Sequence, residues 1–149
     1  MSSHILEVAA RSQWQSGVQT HSQIRDFKPV IMDEPAILGG ENQGPNPLEY
    51  LVAALNGCKG VMIPLIAKEL SFQFSALSFA TKGVIDLRGL LGQPEVSTHF
   101  QSLHFTVTIQ TEESAERLQE LQDTVARRCP IYNLLQEAKV NLHSQWLRQ

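Results

Sequence analysis

Two residues in this chain carry thiol chemistry: Cys58, inside the apolar stretch NPLEYLVAALNGCKGVMIPLIAKEL, and Cys129, directly before Pro130 in ARRCPIYN. A thiolate is a nucleophile, and its reactivity follows from whatever shifts its pKa. By residue type alone, Cys58 on an apolar face reads as a small buried hydrophobe. Cys129 stands where it would cap a short helix opened by Pro130. The positive end of that helix dipole, with Arg127 and Arg128 nearby, is expected to lower its pKa. Spacing alone leaves open whether the two thiols meet, because pairing needs Cα atoms within about 7 Å. Other chemistries have less behind them. His4, His21, His99, His104 and His143 show no ligand-like spacing, so no metal site is expected. There is no G-x-S-x-G elbow, and the loop LGGENQGPNP lacks the Gly-Lys-Ser/Thr of a phosphate loop.

The elements that must position these thiols are legible in outline. Asn46 reads as a helix cap, Pro47 as the first helical residue and Glu49 as the partner that answers the cap's backbone N–H. Leu51, Leu55, Cys58, Met62 and Ile66 recur at three- and four-residue spacing, which places Cys58 in the apolar stripe. Pro64 is expected to kink or break this helix. Gly57 and Gly60 each cost a helix about 0.5–1 kcal/mol, which suggests a close approach to the backbone around Cys58 or ordinary small-residue packing. Strands are expected over residues 4–10, 18–27, 72–86, 100–110 and 140–146, with a turn at Trp14–Gly17 and extended chain through Lys28–Met32. Asp86–Pro94 reads as a loop. Ser114 caps a helix of about Ala115–Arg127, and a short helix follows Pro130. Strands cluster rather than alternate with helices, so the class is α+β with largely antiparallel sheets around one long helix.

The chain of 149 residues is one domain by length, and its net charge of −3 gives no electrostatic case for nucleic acid or a membrane surface. Polar interruptions in the apolar run argue against a membrane span. No signal-peptide pattern opens the chain, so the expected location is the cytoplasm, where thiols stay reduced.

The stretches GGENQGPNPLEYLVAALNGC and ARRCPIYNLLQEAKVNL, with KGVIDLRGLLG between them, resemble the OsmC/Ohr family of osmotically and organic-hydroperoxide-inducible proteins. The resemblance runs from about residue 5 to 145. It implies an OsmC-like α+β fold, an intertwined homodimer with central helices, and sites at the subunit interface. It also implies a thiol peroxidase needing no cofactor, in which Cys58 attacks an organic hydroperoxide and Cys129 resolves the sulfenic acid as a disulfide. A dithiol reductant, such as a lipoylated protein, would reopen it. The chemical need for two thiols is that a sulfenic acid left untrapped over-oxidises. Leu51, Leu55, Met62 and Phe side chains are then expected to line an apolar pocket for the peroxide's organic tail.

Two departures from the peroxidase members bear on the site. Their glutamate ten residues before the first cysteine is Leu48 here, with Glu49 one place later. Ten helical residues span about 15 Å, so a helix-borne glutamate would reach a cysteine only across a dimer. The arginine that those members supply from the hairpin or the loop before the helix is missing from QWQSGVQ and LGGENQGPNP. Arg25 and Arg88 are the candidate replacements, with Lys59 a further local charge. These departures keep an alternative open: an OsmC-like module that binds or senses a small apolar molecule with little peroxidase activity.

Overall fold

The computed structural model describes residues 4–149, which fall into two compact units divided after residue 51.

In the first unit, β1 (Arg11–Ser16), β2 (Gln19–Gln23) and β3 (Val30–Met32) form an antiparallel meander. The strand expected over residues 4–10 lies instead at 11–16. Its register is set by the hairpin, where Ser16 faces Gln19 across a tight turn and Gly17 takes φ 53°. Trp14 is therefore a strand residue, its indole N–H donating to the Gly17 carbonyl at 3.0 Å. The loop after β3 is organised by Asp33, which is 2% exposed. Its carboxylate accepts from the backbone N–H groups of Glu34, Glu41 and Gln43 and from the Gln19 amide. A single 3-10 turn, Ala36–Leu38, sits inside this loop.

Helix α1 (Pro47–Glu69) starts as its sequence dictates. The Asn46 N–H donates to Glu49 Oε2 and the Glu49 N–H donates to Asn46 Oδ1, each at 2.8 Å. The helix then runs unbroken through Pro64. It is also long and apolar enough to cross a bilayer, with mean hydropathy 1.5, which the polar interruptions at Asn56 and Lys59 concealed from a run count.

In the second unit, β4 (Ala76–Val84), β5 (Ser102–Gln110) and β6 (Asn141–Arg148) make one sheet. β4 pairs antiparallel with β5, and β5 pairs parallel with β6. That parallel pair is the exception to the antiparallel expectation, and the crossover of α3 (Ala115–Arg128) and α4 (Pro130–Glu137) makes it possible. Asp86 caps a single helical turn, α2 (Leu87–Leu90), inside what reads as a loop. One face of β5 presents Leu103, Phe105, Val107 and Ile109, all buried. Val107 and Ile109 pack with Ile63, Ile66 and Ala67 of α1 and Leu118, Leu121 and Val125 of α3. Both helices thus cover the same side of the sheet. Ser114 caps α3 as its residue type requires, accepting from the Arg117 N–H.

The buried stripe of α1 is Leu55, Lys59, Ile63, Ile66 and Ala67, rotated one residue from the expected one. α1 is apolar nearly all round, so periodicity alone does not select the face. Cys58 and Met62 sit on the half-buried shoulder of that stripe. Gly60 faces the Phe79 ring at 3.7 Å, whereas Gly57 has open space beside it.

Replacing Asn46 with Ala removes the cap and is expected to cost about 1 kcal/mol. A urea denaturation midpoint compared with the parent checks this.

Candidate functional site

The site is built where α3 turns into α4. The corner is set by Asn133, whose Nδ2 donates to the carbonyls of Ala126 and Cys129, each at 2.8 Å. Cys129 is the hinge residue, extended at φ −76°, ψ 112° between the two helices, and is fully buried. Pro130 opens α4 behind it, where its missing N–H costs nothing. This corner carries the thiol onto α1. The Cys129 S–H donates to Cys58 Sγ at 3.0 Å, and both cysteines are free thiols. An ion pair, Arg128 with Glu69, joins the C-terminal turns of α3 and α1 on the surface nearby.

Lys59 completes the cluster. It is 2% exposed, and its Nζ lies over the rings of Phe105 and Tyr132, 4.3 and 4.8 Å from their centroids. Those two rings meet edge to face. The ammonium makes no hydrogen bond or ion pair among the described residues. Burial pushes its pKa down, while the charges of Cys129 and Cys58 pull it up. The attraction is mutual, since Lys59 stabilises the Cys129 thiolate. Adjacent helix residues do not face each other, yet the long lysine stem lets its charge act on both sulfurs.

Cys129 overturns one expectation. Its pKa is raised from 9.0 to about 11, by burial first and then by the hydrogen bond to Cys58. The first-turn amide of Tyr132 pulls the other way and is outweighed. The two arginines expected to help are engaged elsewhere. Arg128 is paired with Glu69, and Arg127 donates to Thr124 Oγ1 at 3.2 Å.

The structure thus brings together Cys58 and Cys129, adding Lys59. Lys59 is expected from the sequence only as a local charge; its burial follows from its spacing, four residues from both Leu55 and Ile63 on the face that is buried. The other candidates belong to the first unit or to the surface. Arg25 holds a left-handed φ of 48° and stacks over the Phe27 ring at 4.6 Å. Glu49 is occupied by the Asn46 capping pair. Arg88 is bound to Asp86, holding that carboxyl down at about 2. The expected apolar lining also differs, because Leu55 is fully buried in the core. Beside the thiols is a cleft of about 240 Å³ lined by Lys59, Phe105, Tyr132, Ala126 and Trp146, with Gln119, Gln122, Asp123 and Ser144.

This α+β arrangement is shared with solved structures. An OsmC-like protein from Mycoplasma pneumoniae superposes with TM-score 0.79 at 17% identity, covering 97% of this chain and 96% of that one. An organic hydroperoxide resistance protein OsmC from Legionella pneumophila, described as a predicted redox protein, gives 0.65 at 17% identity over 95% and 96%. The organic hydroperoxide resistance protein OhrB of Bacillus subtilis gives 0.60 at 18% identity over 95% and 98%. A comparison with curated proteins gave no match. The family model described as OsmC-like protein matches residues 40–143, and the chain belongs to that family.

The raised thiol has a sign that can be checked. A group whose pKa is higher folded than unfolded contributes stability that is full below the unfolded value and lost as pH rises through the folded one. Under reducing conditions, stability attributable to Cys129 should therefore decline between pH 9.0 and about 11. The difference in urea midpoint between the parent and Cys129→Ala, followed across that range, should shrink. A constant difference would contradict it.

Proposed function

We propose that the chain is a thiol-dependent peroxidase acting on organic hydroperoxides. The observation that carries this reading is the 3.0 Å contact between a partly buried thiol and a fully buried one. Cys129, with its raised pKa, keeps the shared proton, which leaves Cys58 as the acceptor and the attacking sulfur. The Cys58 thiolate attacks the outer peroxide oxygen. The O–O bond breaks, the alkoxide takes a proton and leaves as an alcohol, and Cys58 becomes a sulfenic acid. The Cys129 sulfur then attacks the Cys58 sulfur. The S–O bond breaks, and hydroxide leaves as water with the Cys129 proton. A dithiol reductant of the lipoyl-protein type returns two electrons and becomes a disulfide itself. A reducing compartment such as the cytoplasm suits this cycle. Arg25 and Glu49 are carried as further candidates for charge at the thiolate.

Reduced protein mixed with cumene hydroperoxide should lose both thiols promptly as an intramolecular disulfide. Cys58→Ser should abolish turnover, and Cys129→Ser should trap a sulfenic acid that dimedone labels. Arg25→Ala and Glu49→Gln in the same assay decide whether either belongs to the site. Thiols that survive long exposure would refute the peroxidase reading. They would favour the second one, a small-molecule binding or sensing module, which Leu48 and the hairpin without arginine support.

The reading includes a homodimer. Val61 is 66% and Leu65 47% exposed on α1, opposite its buried stripe, and such an apolar face calls for cover. A second copy laid on it would place two long helices together. Sedimentation should show a dimer, and Leu65→Glu should shift it toward monomer while keeping the helical circular dichroism.

A further inference from the structure

We propose that the cleft beside Lys59 is a binding site for a compact organic carboxylate with a flat apolar body. This role goes beyond hydroperoxide reduction, although Lys59 also acts on the neighbouring thiols. Three observations carry it. The first is an unpartnered charge. Lys59 is 2% exposed and makes no hydrogen bond or ion pair among the described residues, yet it lines this cleft. Two ring faces hold the ammonium from below, but a ring face accepts no hydrogen bond of ordinary strength, so its N–H donors are left for a ligand. A buried lysine normally has an anionic partner.

The second observation is the lining. Phe105, Tyr132 and Trp146 give aromatic walls suited to stacking a planar body, while Gln122 and Ser144 offer polar groups among them. Asp123 stands exposed, and its carboxylate accepts from Gln119 Nε2 at 2.9 Å. An anion is therefore disfavoured beside Asp123 and favoured at Lys59, which gives the cleft a polarity and a direction of entry.

The third is size. About 240 Å³ is smaller than the range of drug-sized pockets and holds roughly eight waters. That suits a molecule of the size of benzoate and excludes a nucleotide or a long peptide. Binding a carboxylate here would offset the desolvation that burdens Lys59.

Trp146 makes the test direct. Of the two tryptophans, Trp14 is removed by Trp14→Phe, leaving Trp146 as the reporter. Benzoate titrated into this reduced protein, also carrying Cys58→Ser so that thiol chemistry is silent, should change its fluorescence saturably. Losing a charge-assisted hydrogen bond weakens binding by about tenfold or more. Benzamide, which has the same shape without the charge, should accordingly bind at least that much more weakly, as should benzoate to the Lys59→Met variant. Equal affinity for benzoate and benzamide, unchanged affinity in Lys59→Met, or no saturable signal with millimolar benzoate would overturn the site. The benzoate and benzamide pair decides the matter even if Lys59→Met fails to fold. Because Cys58 is absent throughout, failure here leaves the peroxidase reading untouched, and failure of that reading leaves this one untouched.

Discussion

A lysine side chain 2% exposed, its ammonium held over two rings at the edge of a small cleft, constrains what surrounds it. Its desolvation is unfavourable and needs an answer. In this chain the answer is two aromatic faces, from β5 and α4, and the nearby Cys129 thiol, whose ionised form the ammonium favours. Phe105 and Tyr132 therefore do more than fill space. They fix where the charge sits, and the charge in turn favours the thiolate form of Cys129. The sheet, α3 and α4 converge on that spot because all of them must cover the same stripe of α1.

The two cysteines occupy unlike environments. Cys129 is sealed at an interhelical corner with its proton held. Cys58 is on the shoulder of a long helix, partly open. Burial raises one thiol more strongly than a helix terminus lowers it. Two effects of opposite sign meet at one sulfur, and the larger comes from packing that a linear sequence does not display.

Much of the architecture is legible in the sequence. Ser114, Asn46 and Glu49 announce helix starts through short-range hydrogen bonds that depend only on neighbours in the chain. The alternation of Leu103, Phe105, Val107 and Ile109 fixes β5 in the same local way. What failed to show was set by partners distant in sequence. The first strand lies at 11–16 because the hairpin with β2 dictates it, and α1 turns a different face inward because nearly all its faces are apolar. The family's motifs singled out both cysteines, but nothing in them pointed to Lys59, whose importance comes from rings 46 and 73 positions away (105 − 59 and 132 − 59).

Asn133 ties the α3–α4 corner through main-chain carbonyls alone. None of those bonds uses the sulfur of Cys129. The bonds that Asn133 makes to tie this turn therefore do not draw on the thiol. A small side chain at position 129 would keep all three of these bonds, so the hydrogen bonding of the corner does not itself demand a thiol there.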